Sequence, residues 1–476
     1  MNYRMISRVL GAVLLCVAAV MLIPLAVALI YGESILPFVA AMGLTAALGV
    51  ILYRVKLKSR DMFAREGFVV VSLAWIVMSL LGALPFVISG DIPNYIDAVF
   101  ETVSGFTTTG ASVVTDVESM SRSGLFWRLF THWLGGMGVL VFIMAVLPMD
   151  SSHSMHIMRA EVPGPTVGKL VPRIRQTAKI LYLIYAGMTL IETVLLLLGG
   201  MSFYDAILHA FATAGTGGFS TRADSIAAFD SVYIEMVVAV FMMLFAVNFN
   251  LYYLIIIGKV REALKSEELH VYLAVIAVTT GSIALGISKL YGGMGMALRH
   301  SFFNVTSLMS SSGFGTVDFT KWPAYCQWIL VLLMFCGACA GSTGGGIKLA
   351  RVMMLIKNAA ANVRTMAHPR RVYAVRMEGK RVDDGTLRSA EAFFAMYMLL
   401  SLIVTLIISF DGYDLATNFT ASISALSNIG PGMSLIGPKG SFAIFSPVSK
   451  VTLSAAMLLG RLEIFPLVVL FSGGRK

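Results

Sequence analysis

One short pattern occurs four times in this chain and restricts what it can fold into. A glycine closes a run of small residues at Thr107-Thr108-Thr109-Gly110, Gly215-Thr216-Gly217-Gly218, Ser310-Ser311-Ser312-Gly313 and Ser427-Asn428-Ile429-Gly430. Roughly thirteen apolar or small residues precede each glycine, from Asp97, Asp205, His300 and Thr417 respectively. The first two segments, DAVFETVSGFTTTG and DAILHAFATAGTGG, agree closely; the third lacks the leading acid and the fourth carries it earlier, at Asp414. A helix of about a dozen residues covers about 18 Å, half a bilayer. Each segment is therefore predicted to enter a membrane and turn back.

Composition supports a membrane as the solvent. The 476 residues are 57% hydrophobic and only 13% charged, with a mean hydropathy of +0.82, which places the chain among helical membrane proteins. The apolar run after Arg8 is too long for a signal-peptide core, and no small-residue cleavage pattern precedes the second run at Ile35, so it reads as a retained helix. The four cysteines, 16, 326, 336 and 339, lie in or beside apolar segments and suggest no disulfide framework. Cys336-Gly-Ala-Cys339 has redox or zinc spacing but no second pair, and reads as small residues at a helix break.

Two apolar runs, about 8–31 and 35–53, come first. A helix, half-helix, loop, helix unit then recurs four times: about 68–89, 97–113 and 125–147; 178–199, 204–220 and 230–258; 269–291, 297–316 and 325–357; 390–410, 415–433 and 447–472. The expected fold is an all-α polytopic membrane protein with four parallel helix, pore-helix, filter, helix repeats around a pseudo-fourfold pore, preceded by two extra transmembrane helices. The divisions are 1–66 for those two helices, then 67–150, 151–265, 266–360 (with a broken inner helix) and 361–476 for the repeats. Ten full crossings result.

Charge tests this topology independently. The segments between units are basic: Arg54, Lys56, Lys58, Arg60 and Arg65; Arg159, Lys169, Arg173, Arg175 and Lys179; Lys259, Arg261 and Lys265; and the long stretch from Lys348 to Arg388. The loops flanking the half-helices instead carry Asp91, Asp116, Asp224, Asp230 and Asp411. Positive charge marks the cytoplasmic side, so both termini are expected inside and the four re-entrant loops open outward.

Irregular backbone at membrane depth persists only when buried in protein or lining a wet cavity, because each unpaired group in hydrocarbon costs several kcal/mol. A single Gly-rich connection is ordinarily just a loop. Four in register imply a shared axis. Thr, Ser and Gly are small and neutral, so their carbonyls can face that axis and replace the hydration shell of a monovalent cation. The negative C-terminal ends of the half-helices point the same way and favour cations.

A second irregularity lies in unit three, where Gly337 to Gly346 is too rich in glycine to continue a helix at about 1 kcal/mol per residue. A phosphate loop would need Gly-Lys-Ser/Thr there, but Gly346 is followed by Ile347-Lys348-Leu349. In the last crossing Arg461 lies about 21 Å beyond Pro447 along a helix. It either snorkels to the cytoplasm or faces the axis and meets carbonyls of the glycine loop. Glu463, two residues on, does not share its face. Glu101, Glu192, His209, Asn248 and Asn250 read as hydrogen-bonding residues between helices. His153 and His156 have ligand-like spacing within a basic loop, a weak metal signal.

These motifs resemble the Trk/Ktr/HKT superfamily of potassium transporters, and SGFTTTGAS, THWLGGMGVLVF, AGTGGFST, SSSGFGT and SNIGPGMS resemble its TrkH branch in particular, over nearly the whole chain. The resemblance implies that Gly110, Gly218, Gly313 and Gly430 are filter glycines. It further implies that the carbonyls of Thr108 and Thr109, Thr216 and Gly217, Ser311 and Ser312, and Asn428 and Ile429 coordinate transported K+, with no organic cofactor. Plant relatives with serine in the first filter tend towards Na+; four glycines favour K+. The adjacent glycines of the second filter and Pro431 after the fourth leave the register open at both. The resemblance also makes the loop around Gly344, Gly345 and Gly346 the block below the filter, with Arg461 as its electrostatic partner. It implies a homodimer with one pore per protomer in the bacterial inner membrane, and a cytosolic nucleotide-binding TrkA-like ring as regulator.

The net charge of +10 sits on the predicted inner face, where it suits anionic lipid, a partner protein or topology alone; nucleic acid is not an expected partner. An intramembrane enzyme would need convergent catalytic groups, and no HExxH or paired intramembrane aspartates occur. A secondary transporter for an organic solute is the alternative, but inverted repeats with two broken helices would then be expected. Channel-like flux and coupling to H+ or Na+ are equally compatible with these residues.

Overall fold

The computed structural model describes residues 2–57, 64–138, 174–371 and 373–471. Lys58, Arg60, the end of the first unit from 139 onward, His153, His156, Arg159, Lys169 and Arg173 lie outside the described residues. Among the described residues six helical segments are long and apolar enough to cross a membrane unaided: Tyr3–Tyr31, Leu36–Tyr53, Arg65–Ser89, Ala178–Leu198, Glu267–Ile287 and Asp384–Asp411. They are the two N-terminal helices and the first, outer helix of each repeat. Leu183, Leu190, Val278, Leu285, Leu402 and Leu406 on the last three repeats' outer helices are exposed, as expected of side chains that meet lipid.

Four short pore helices follow the outer ones: Tyr95–Phe106, Phe203–Ala214, Met294–Met309 and Leu415–Ser427. Their starts are chemically marked. Asn94, Ser202 and Asp414 accept from the backbone N–H groups of Ile96, Asp205 and Thr417 at 2.9, 3.1 and 3.2 Å, which satisfies donors the first turn would leave orphaned. The Thr417 hydroxyl on Asp414 also helps hold that exposed carboxyl below its usual range. Phe100, Phe106 and Trp127 are fully buried around the first pore helix, with Phe106 and Trp127 edge to face at 5.9 Å and the Trp127 indole donating to Gly82 O at 2.9 Å.

The expectation that every crossing except the inner one of repeat three is continuous is corrected here. The second inner segment, read as continuous over 230–258, is two helices, Val232–Phe245 and Phe249–Ile256, bent by 90°. The fourth, read as continuous over 447–472, breaks between Pro447–Arg461 and Phe465–Phe471. The third breaks where its glycines predict, after Ala324–Cys336. In the first, the described helix runs Arg122–Gly136.

Each break has a physical cause. Pro466 in the fourth could not donate to Leu462 O, and its ring would clash there. The second contains no breaker; its freed backbone is paired by the distant glycine segment. Cys339 N–H donates to Ala246 O at 3.0 Å, Phe249 N–H donates to Gly341 O at 3.0 Å, and the Thr343 hydroxyl donates to Phe245 O at 3.1 Å.

Candidate ion pathway

All four pore helices end alike. The N–H groups of Thr109, Gly217, Ser312 and Ile429 reach back to the carbonyls of Ser104, Ala212, Ser307 and Ser424 at 2.9, 2.8, 2.9 and 3.0 Å. Those of Thr108, Thr216, Ser311 and Asn428 reach Gly105, Thr213, Leu308 and Ala425 at 3.1, 2.9, 3.1 and 3.4 Å. This is the Schellman ending, which requires a left-handed residue after the helix. Thr108, Thr216, Ser311 and Asn428 supply it, with φ of 55°, 54°, 60° and 53°. The glycines then turn left-handed in turn, at 80°, 74°, 82° and 99°. The same backbone register therefore holds in all four segments, including the second and fourth, where sequence left it open.

The four segments also close on one another. A methyl group built on Gly110 would sit 2.0 Å from Gly217 O, one on Gly218 2.0 Å from Ser312 O, one on Gly313 2.0 Å from Ile429 O, and one on Gly430 2.7 Å from Thr109 O. Each glycine thus abuts a carbonyl of the next repeat, and the fourth abuts the first. A ring of four carbonyls surrounds one axis. Beside it a cavity of about 460 Å³ is lined by all four glycines, with Asp224 and Lys439 among its other residues; those two form an exposed ion pair at 2.7 Å.

On the side of the ring nearer the inner-helix breaks lies the glycine segment of repeat three. Gly345 N–H donates to Ser311 Oγ at 2.6 Å. A methyl group on Gly344 would meet Ser310 O at 2.7 Å and one on Gly345 Ser427 O at 2.2 Å. The segment is therefore pressed against the left-handed turns of repeats three and four. Lys348, 2% exposed, folds back and donates to Gly344 O.

Arg461 is the last residue of its helix, not a residue midway along a crossing, and a cation is favourable at that C-terminal end. Its guanidinium donates to Thr343 O at 2.9 Å, Thr108 Oγ1 at 3.3 Å and Gly136 O at 2.7 Å, and also to Gly135 O. Arg461 and the glycine segment together join the inner helices of all four repeats. Glu463 turns away, at φ 54°, and pairs with Arg351.

Three charged residues at this centre escaped sequence analysis. Arg128, 3% exposed, pairs with Glu101 at 2.6 Å; a charge inside an apolar helix is itself a signal. Lys348 was read only as the start of a basic run. Glu268, 7% exposed, accepts from Ala340 N–H at 2.8 Å and Ala350 N–H at 3.1 Å, holding both ends of the glycine segment. The residue before it, Glu267, is tied to a small hairpin, Arg376–Met377 with Lys380–Arg381, whose Glu378 accepts from Glu267 N–H at 2.9 Å. Glu268→Ala leaves two buried N–H groups unpaired at about 1–3 kcal/mol each. Amide exchange across 338–350 is expected to quicken at least about tenfold while the pore helices keep their protection. Unchanged exchange there would contradict the clamp.

Among the described residues no cluster of His, Cys, Asp or Glu could hold a metal, and the four cysteines are free. His209 bonds Asp205 O and Ser220 Oγ at 2.8 and 2.9 Å, and Asn248 caps the helix beginning at Phe249.

Long apolar helices, short pore helices that end in left-handed turns of one register and a closed carbonyl ring define a multi-pass membrane protein of the cation-conducting class. Comparison with known proteins agrees: residues 38–278 and 292–474 match the family described as TrkH, cation transport protein. The chain belongs to the TrkH family, a family of transporters and not of enzymes. It is 35% identical to the Trk system potassium uptake protein TrkH of Escherichia coli K12, over 99% of both chains. To TrkG of the same organism it is 35% identical, over 99% of this chain and 98% of that one. The crystal structure of the potassium transporter TrkH from Vibrio parahaemolyticus superposes with a TM-score of 0.90 at 32% identity, covering 99% of each chain.

Proposed function

We propose that this chain is the K+-translocating subunit of a bacterial inner-membrane uptake system. The observation that carries the reading is the closed ring of Thr109, Gly217, Ser312 and Ile429 carbonyls against Gly430, Gly110, Gly218 and Gly313. A dehydrated monovalent cation needs neutral oxygens held at fixed spacing. The carbonyls of Thr108, Thr216, Ser311 and Asn428 add a second tier to that site. The glycine segment at Gly344, Gly345 and Gly346, with Arg461, is the gate, placing backbone and a positive charge beside the path. The basic face from Lys357 to Arg388 lies in the cytoplasm with both termini, and receives a nucleotide-binding TrkA-like ring. Two protomers associate, each with its own pore. The printed names of the relatives supply the ion and the direction of transport.

Expression in a bacterium stripped of its K+ uptake systems tests this reading. Growth at micromolar K+ is expected, and the purified chain in liposomes should pass Rb+ down an imposed gradient. Absence of flux from well-inserted protein would overturn it.

A further inference from the structure

Glu101, His209, Asn304 and Ala421 stand at the same distance along the chain before the four filter glycines. In repeats one and two this position braces the strand leaving the filter. Glu101 Oε1 accepts from Ser112 Oγ at 2.9 Å and Oε2 from Val113 N–H at 2.9 Å, while His209 Nε2 bonds Ser220 Oγ at 2.9 Å. Asn304 donates only to His300 O at 2.9 Å, with no partner for its Oδ1 among the described residues. Ala421 has nothing to offer. The serines braced in repeats one and two are replaced in three and four by Gly315 and Gly432.

Arg128, from the inner helix of repeat one, joins the two braced strands. Its Nε donates to Glu101 at 2.6 Å, one terminal nitrogen to Ser112 Oγ at 3.1 Å and the other to Ser220 O at 3.2 Å. The guanidinium lies 3.6 Å from the centre of the Phe219 ring, and Phe219 packs against His132, the rings tilted by 43° with centroids 4.1 Å apart. Both ionised side chains are buried, at 3% and 1% exposure. A planar fork with donors in fixed directions can hold three acceptors, one on the pore helix and one on each of two strands, at one spacing; an ammonium cannot reproduce it. A carbonyl ring keeps its preference for the larger ion only while its walls resist closing on the smaller.

We propose that the Glu101–Arg128 pair is a positioning device that sets ion selectivity by bracing the filter strands of repeats one and two. Selectivity then depends unequally on the four repeats: one and two are braced by a buried charge pair, whereas three and four are held by neutral hydroxyls, Ser307 Oγ donating to Phe314 O and Ser424 Oγ to Gly430 O at 2.7 Å each. This rests on the K+ reading above.

The experiment compares Rb+ and Na+ flux in liposomes for the wild-type chain and for Glu101→Gln, Arg128→Lys and Ser112→Ala. Wild-type protein that passes no Rb+ would count against the transport reading itself. With wild-type flux established, Glu101→Gln and Arg128→Lys are expected to lower the Rb+/Na+ flux ratio at least about tenfold. Ser112→Ala, which removes a hydroxyl held by both partners and keeps their charges, should lower it about threefold. The ratio is a per-molecule quantity, so poorer folding alone would reduce total flux and leave it unmoved. An unchanged ratio in the charge variants overturns the inference. Should those variants fail to insert, an unchanged ratio in Ser112→Ala overturns it equally.

Discussion

Gly110→Ala is expected to abolish K+ uptake, by about a hundredfold or more, while the protein still inserts. Two costs coincide at this residue. A φ of 80° is one that a residue with a Cβ adopts only at about 1–2 kcal/mol. The added carbon would also lie 2.0 Å from Gly217 O, and that oxygen belongs to the ring. It cannot retreat without opening the coordination site, so the damage falls on conduction more than on stability. The same distance recurs at Gly218 and Gly313, whereas at Gly430 the carbon would lie 2.7 Å from Thr109 O. Alanine at Gly430 should therefore leave measurable residual uptake, and alanine at the other three should not. Rb+ uptake normalised to membrane-inserted protein checks the order. Equal uptake by wild type and Gly110→Ala would sink both the ring and the role given to it.

How much of this was legible in the chain depended on whether the cause was local. The pore helices were readable because four runs of small residues, each closed by a glycine, mark their ends at one spacing from Asp97, Asp205, His300 and Thr417. Those signals act within a turn or two of where they stand. The break in repeat three was readable for the same reason, since glycine acts on its own backbone. The break after Phe245 was not, because Asn248, which caps the helix beyond the break, was read as a hydrogen-bonding residue between helices. Its cause is the glycine segment, nearly a hundred positions away, which takes up the hydrogen-bonding groups that the interruption frees. Pro466 did announce the break in the fourth repeat, but hydropathy alone carried the expectation of a continuous span across it. Arg128 went unread for a different reason. It is one charge within a run read for its apolar content, and only the fold supplies its partner Glu101 and the two strands it joins.

Arg461→Gln is expected to raise basal flux through the reconstituted chain, tested without any cytosolic partner. Four acceptors surround the guanidinium: the carbonyls of Gly135, Gly136 and Thr343 and the hydroxyl of Thr108. Thr108 belongs to the filter turn, so the positive charge stands immediately beside the proposed exit of the ion. Two like unit charges about 4 Å apart repel by about 4 kcal/mol at an effective dielectric of 20, and about 1.4 kcal/mol is a factor of ten. Full removal of the charge would be worth about a thousandfold, and a rise of at least about tenfold is expected after water and side chains relax. Glutamine also leaves carbonyls short of donors, so loosening of the gate contributes to the same rise. Arg461→Lys separates the two effects. It keeps the charge but cannot serve four acceptors with three N–H bonds. If repulsion dominates, the lysine variant stays near wild-type flux; if the guanidinium acts chiefly as a tie among the inner helices, lysine and glutamine rise together. Basal Rb+ flux in liposomes distinguishes these outcomes, and a glutamine variant no leakier than wild type would remove Arg461 from the gate altogether.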